Sequence, residues 1–348
     1  LARTGIIRAF LEGTGWGAAR RMPLVGDASG RAYERLARNG RPAILMNAPE
    51  RPEGPPVHAG RSYDALARRA RSIHAFVAIA AALRAGGIHA PEVLASDLDA
   101  GTALLEDLGA EPVTDLAGRP VMERYETAVD LLAFMHRRGW PDSVPLAGGG
   151  SYRLPPYDRA ALVVEVSLFA DWYAGRESGR PFSPAERAGF LAAWSDVLAP
   201  LDQGPRTWVL RDFHSVNLLW LPDEEGVWRL GVLDFQDAVL GHPAYDLASL
   251  AQDARARVTA DEEEQLKRQY LEARRRAEPG FDLDGFEATY TILAAQRATK
   301  ILGAFSRLAT VEGKEGYRRH IPHVEELLRR NLAEPVLSPL RLWYQPYL

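Results

Sequence analysis

Residues 209–237 read VLRDFHSVNLLWLPDEEGVWRLGVLDFQD, and their order governs how the rest of the chain is understood. The apolar pair Val209-Leu210 leads to an acid, Asp212. The amide Asn217 follows five positions later, and two further acids, Asp234 and Asp237, close the stretch. Between Asn217 and Asp234 two apolar runs flank the turn-forming sequence PDEEG, which reads as a hairpin. A hairpin folds the chain back on itself, so Asn217 and Asp234 are expected to meet despite their separation in sequence.

That spacing suits phosphoryl transfer, which asks a protein for position and charge and for little covalent work. One carboxylate must lie within hydrogen-bond reach of the acceptor hydroxyl, and Asp212, in the loop after a strand, is the candidate base. Mg²⁺ takes oxygen ligands from carboxylates, amides, water and nucleotide phosphates, and Asn217 with Asp234 supplies two of them. His214 has no second histidine at ligand spacing, which argues against zinc. It is a candidate to brace the loop or touch the acceptor. Asp237 is a candidate for a second metal or substrate contact or an ordinary surface acid, and Arg211 for a substrate contact.

The chain as a whole limits the alternatives. Its 348 residues, 47% of them hydrophobic, are enough for two domains with a substantial core. Lys and Arg number 42 against 46 Asp and Glu, so no general attraction to nucleic acid or anionic membrane is expected and any phosphate site must be local. Without cysteine there are no disulfides, thiolate metal sites or cysteine nucleophile, which fits a reducing, cytoplasmic setting. The opening LARTGIIRAFLEGTGW lacks the apolar core and cleavage site of a signal peptide, and no run is long enough to span a membrane.

Read in order, an amphipathic opening helix precedes residues 22–48, where MPLV, GDASG, RAYERLA, RNGRP and AILMNA alternate apolar runs with turn signals; a three-strand antiparallel meander is expected. Gly26 and Gly30 flank its first turn, where Ser29 and Arg31 add a hydroxyl and a charge suited to a phosphate cradle. After a Pro- and Gly-rich linker, Ser62 is expected to cap one helix running to Gly86-Gly87, with Leu66, Ile73, Phe76, Val77, Ala80 and Leu83 on its apolar face and Arg68, Arg69 and Arg71 in solvent. PEVLASD and TALLEDLG add two strands. The exit Glu106-Asp107-Leu108-Gly109 offers backbone donors and acceptors to an adenine edge. The chain then turns helical, with a central helix over 121–138 holding His136 in the core, helices over 158–173 and 184–198, one after Pro243 with Asp246 in its first turn, and others over 260–276, 283–308 and 313–330. The expected architecture is α+β in two lobes, residues 1–108 around a small antiparallel sheet and residues 109–348 mostly helical.

The motifs LRDFHSVN, LDFQDA and GHPAYDL resemble the aminoglycoside phosphotransferase and choline kinase group. Within it, GDASGRAYERL, AILMNAP, ALLEDLG, LDFQDAVLG and TKILGAFSRLATVEGKEGY are similar to the bacterial anomeric kinases that phosphorylate N-acetylmuramate and N-acetylglucosamine in cell-wall recycling. The resemblance implies a protein-kinase-like fold, with ATP and Mg²⁺ as cofactors and ATP between the lobes against a hinge at Glu106 to Leu108. It also implies the roles given above for Asp212, Asn217 and Asp234, and a small amino-sugar acceptor phosphorylated at its anomeric hydroxyl. Three positions depart from the wider pattern: Leu210 stands where histidine is usual, Gln236 where protein kinases have glycine, and Met46 where a strand lysine normally pairs with phosphate. The helix that follows offers no glutamate partner, so a cation must come from elsewhere, with Arg31, Arg35 and Arg211 as candidates. Two other readings remain open, a kinase of aminoglycoside or choline-like cations and a non-catalytic ATP-binding protein.

Overall fold

In the computed structural model, which describes residues 2–24, 30–146 and 148–348, the first third of the chain builds a five-stranded antiparallel sheet. Its order is Arg20–Leu24, Ala32–Arg38, Arg41–Asn47, Thr102–Leu105, Val93–Asp97. Successive side chains of a strand point to opposite faces, and both faces are covered. Ala43 and Leu45 meet Ile7 and Leu11 of the opening helix Ala2–Gly13 on one side, while Met46, Ala103 and Leu105 join the main core on the other. Met46 is fully buried, so the third-strand site that could carry a lysine is an apolar core position.

The single helix expected from Ser62 is two elements. Ser62 does cap a helix, its hydroxyl accepting the Ala65 N–H, but that helix covers only Tyr63–Leu66. The main helix, Ile73–Ala85, starts after a break at which Arg68 takes a left-handed backbone (φ 58°). The arginines of this break are not a solvated helix face. Arg68 pairs with Asp158 at 2.8 Å, Arg69 lies 3.5 Å from Asp64 and 3.9 Å from Asp237, and the N–H of Ala70 donates to Asp237 at 2.6 Å. The segment thereby ties the sheet region to residues 209–237.

The later helices follow the order read from the sequence, with Met122–His136 central, then Arg159–Leu168, Pro184–Leu198, Ala244–Ala251, Ala260–Ala277, Leu283–Glu312 and Ile321–Leu332. His136 sits in the core as expected, its Nδ1 2.9 Å from the Tyr270 hydroxyl. A short hairpin, Ser143–Pro145 with Ser151–Arg153, was not legible beforehand. The helix Arg159–Leu168 runs on into a π-helical turn, Phe169–Tyr173.

The long helix Leu283–Glu312 crosses this turn at Gly303, where any Cβ would stand 2.2 Å from the carbonyl carbon of Leu168. No side chain fits there, so glycine sets the distance between the two helices. Among the described residues no helix is long and apolar enough to cross a membrane. Gly303→Ala is expected to destabilise the fold by about 2 kcal/mol or more through overpacking against backbone, read as a lower urea midpoint with unchanged m-value; an unchanged midpoint would show that the helices can part freely.

Candidate active site

The site is assembled around the loop that follows strand Thr207–Val209, which pairs with Val239–Gly241. Arg211 adopts a left-handed backbone (φ 68°), a conformation that costs a non-glycine residue about 1 kcal/mol or more and persists only when its surroundings hold it. Here they do. The fully buried Asp246 accepts the N–H of Leu210 at 2.7 Å and that of Arg211 at 2.8 Å, while the Arg211 carbonyl accepts from Ser249 Oγ at 3.2 Å and Arg297 Nη1 at 3.0 Å. Asp246 is thus more than a helix-start acid; it clamps the loop.

The Arg211 side chain points inward. It is bonded to Glu165 and lies over the Tyr157 ring, 4.9 Å from its centroid. Arg211, a candidate substrate contact by sequence, is placed in a buried ion pair. Asp212 next to it keeps about a third of its side chain exposed, with Arg297 Nη1 3.8 Å from Oδ1. Burial opposes its ionisation, but Lys300, Arg297, His214 and Arg211 together hold the carboxyl well below the usual carboxylate range. The Asp212 carboxylate is therefore ionised.

Asn217 Nδ2 donates to the Asp212 carbonyl at 2.9 Å, which turns its side-chain oxygen to other partners. Strands Leu218–Trp220 and Leu230–Val232 pair antiparallel, and the Leu233 N–H donates to the Asn217 carbonyl at 2.8 Å. The expected hairpin does bring Asn217 to Asp234. Asp234 also has a left-handed backbone (φ 53°), and its Oδ1 accepts from Gln236 Nε2 at 2.8 Å and Arg31 Nη1 at 3.2 Å. Burial and the nearby charges of Asp212 and Asp237, set against Arg31 and Gln236, push its carboxyl up to about 6.

These donors fit a hard divalent cation. Burial first, and then the neighbouring acids, raise Asp234, and a bound cation would oppose both effects. Among the described residues no group of three or more His, Asp or Glu forms a complete metal cage. An ion shared between Asn217, Asp234, phosphate and water matches Mg²⁺ better than an all-protein site.

His214 is buried, and its Nδ1 has no hydrogen-bond partner among the described residues. Burial first, then Arg255 and Arg297, outweigh Asp253 and Asp212 and lower the ring to about 4, so it is neutral. Asp237 is buried on the Ala70 N–H and is not a surface acid. On the nucleotide side, Arg31 reaches Asp234 from the start of strand Ala32–Arg38, next to the exposed Gly30. Gly26 and Ser29 lie outside the described residues.

The Glu106 carboxylate is taken up by Arg84 (3.0 Å), the Glu92 N–H (3.0 Å) and His89 (3.7 Å); the His89 contact, with these others, keeps it ionised below its ordinary range against the cost of burial. The Leu108 N–H makes no hydrogen bond among the described residues, and its side chain packs on Gly231. Arg35 is held by Asp107 at 2.6 Å, away from Asp234.

Sequence reasoning missed Glu165, Ser249, Arg297 and Lys300. One signal was present: an acid inside the apolar run ALVVEVSLFA, and two cations three apart inside AAQRATKILGA, are buried charges that need partners.

A model of the phosphotransferase enzyme family matches residues 21–279. The N-acetylmuramate/N-acetylglucosamine kinase of Caulobacter vibrioides is 39% identical, over 97% of this chain and 95% of its own. The protein of the same name from Pseudomonas aeruginosa is 33% identical, over 94% and 89%. Among solved structures, a microcompartment-associated aminopropanol kinase superposes with a TM-score of 0.61 at 16% identity, covering 97% of this chain and 98% of its own. The choline kinase LicA of Streptococcus pneumoniae gives 0.56 at 14% identity, covering 94% and 100%. These two establish the likeness of fold.

Asp246→Ala leaves two buried N–H groups unpaired beside a strained residue. It is expected to cost about 2–4 kcal/mol of stability and to lower turnover more than tenfold with little change in nucleotide affinity, measured by denaturant titration and steady-state kinetics. Wild-type turnover in a folded Asp246→Ala protein would contradict the clamp.

Proposed function

The chain belongs to the phosphotransferase enzyme family, and on that premise we propose that it transfers the γ-phosphoryl group of ATP to the anomeric hydroxyl of N-acetylmuramate or N-acetylglucosamine. The chain is a kinase, and the sugars are those in the names of relatives that align along nearly its whole length. The observation that carries the reading is the convergence of Asp212, Asn217 and Asp234 at the two ends of one hairpin and the loop before it.

Asp212 is the base. Ionised and partly exposed, it accepts a hydrogen bond from the acceptor hydroxyl, orients it and takes its proton. An anomeric hydroxyl is more acidic than an ordinary alcohol, so that proton is taken late. Asn217 and Asp234 hold Mg²⁺, which when bound offsets the charge on the phosphates. Gln236 fixes the Asp234 carboxylate from the position where protein kinases carry a flexible glycine.

Arg31, its guanidinium standing against Asp234, would supply the cation that Met46 does not. Gly30 belongs to the same phosphate-facing turn. The carbonyl of Glu106 and the N–H of Leu108 face the adenine edge, and the boundary between a nucleotide lobe (1–108) and a catalytic lobe (109–348) falls at this hinge. His214, neutral and buried, braces the loop. Asp237 anchors the segment carrying Arg69.

A cationic acceptor, aminoglycoside or choline-like, is less well suited. It would approach a base flanked by Arg297 and Lys300. A cytoplasmic setting agrees with an ATP substrate.

With ATP and Mg²⁺, N-acetylmuramate or N-acetylglucosamine is expected to drive ADP release that stops on metal chelation; no release with either sugar would sink the reading. Asp212→Asn is expected to lower turnover by about 10²–10⁴-fold, with ATP affinity within about threefold by calorimetry. Unimpaired turnover would remove Asp212 from the role of base.

A further inference from the structure

Glu165 has no solvent exposure and accepts from several donors at once: Tyr157 and Arg211, then Lys300 Nζ at 2.9 Å and Gln296 Nε2 at 3.2 Å. One carboxylate thus faces two cations. A third cation, Arg297, stands one helical turn from Lys300, 3.8 Å from Asp212. Asp246, the other acid behind the loop, is occupied by the two backbone N–H groups it accepts. The surroundings of Asp212 therefore bring three cations, Arg211, Arg297 and Lys300, among the carboxylates of Glu165, Asp246 and Asp234.

Of the three, Arg211 and Arg297 are sequestered. Lys300 keeps 15% of its side chain exposed. Its ammonium has three N–H donors. One goes to Glu165 and one to the Tyr245 hydroxyl at 3.4 Å; the third has no acceptor among the described residues. Glu165 holds the ammonium, and Gly303, three residues on, sets the backbone of its helix close against the end of the helix that carries Glu165. A fixed, partly exposed cation with a spare donor beside the base is a preformed contact for an anionic group on the acceptor.

The two acceptors named under Proposed function differ in one respect that matters here: N-acetylmuramate carries a lactyl carboxylate on its ring and N-acetylglucosamine does not. Building on that reading, we infer that Lys300 is the specificity-determining residue that binds the acceptor's carboxylate, with Glu165 and Tyr245 holding it in place. It makes the site favour an acidic sugar over a neutral one and over a cationic one. Arg69 and Arg31 are also partly exposed cations near the catalytic stretch, but Arg69 lies between Asp64 and Asp237, whose two negative charges oppose an incoming anion, and Arg31 stands against Asp234 on the proposed phosphate side.

The test compares N-acetylmuramate with its lactyl amide, which has the same shape without the charge, in the wild type, Lys300→Met and Lys300→Arg, with N-acetylglucosamine as the neutral reference. The wild type is expected to prefer the acid over the amide by about tenfold or more in kcat/KM, chiefly through KM, as a charge-assisted hydrogen bond implies. Lys300→Met should bring that ratio near one whatever its absolute activity, and Lys300→Arg should restore most of it.

A wild type that treats acid and amide alike overturns the inference even if Lys300→Met fails to fold. So does a Lys300→Met enzyme that keeps the full preference, which would place the carboxylate elsewhere. If no N-acetyl sugar is phosphorylated, the functional reading fails and this inference with it; phosphorylation of N-acetylglucosamine with no acid preference defeats this inference alone.

Discussion

A carboxylate taken wholly out of water is unfavourable by several kcal/mol unless donors surround it, and Glu165 is such a carboxylate. Its partners come from three places far apart in sequence: Tyr157 just before its own helix, Arg211 on the loop that carries Asp212, and Gln296 with Lys300 on the long helix Leu283–Glu312. None of these segments can move without leaving a buried charge exposed or unpaired. The geometry around Asp212 therefore depends on this desolvated group. Burial opposes the ionisation of Glu165, and Lys300 and Arg211 outweigh it, which holds the carboxyl below its ordinary range.

Around that anchor the active loop is held from behind. Arg211, next to Asp212, and Asp234 are two of the five non-glycine residues with left-handed backbones among those described, and both are pinned by side-chain hydrogen bonds. Strain of this kind places a side chain where regular structure would not. At Arg211 it turns the arginine inward and leaves Asp212 facing out. At Asp234 it turns the carboxylate toward Arg31 and Gln236. The stacked rings of Phe76 and Phe235, 4.8 Å apart, and the Ala70 bond to Asp237 then carry this arrangement to the sheet region, where no lysine–glutamate pair is present to do so.

The chemistry-bearing hairpin was legible because its signals are local: strand, acid, amide, turn and acid within one short stretch. The order of helices was legible from apolar spacing. The break at Arg68 was not, since Leu66, Ile73 and Phe76 keep a helical period across it; the competing interaction is the Ala70 N–H bond to Asp237, which lies 167 residues away. The inward turn of Arg211 was hidden for the same reason, its partner Glu165 lying 46 residues earlier. Met46 announced a missing cation, but only the structure puts Arg31 against Asp234, 203 residues apart.

The central claim is that the outward-facing Asp212 serves an anomeric hydroxyl beside a metal held by Asn217 and Asp234. Phosphorus–proton coupling in the purified product measures it most directly. The phosphorus signal is expected to couple to the anomeric proton of an N-acetyl sugar, as in a 1-phosphate. A phosphate coupled to the protons at carbon 4 or carbon 6, or ATP turnover that yields no phosphorylated sugar, would contradict it.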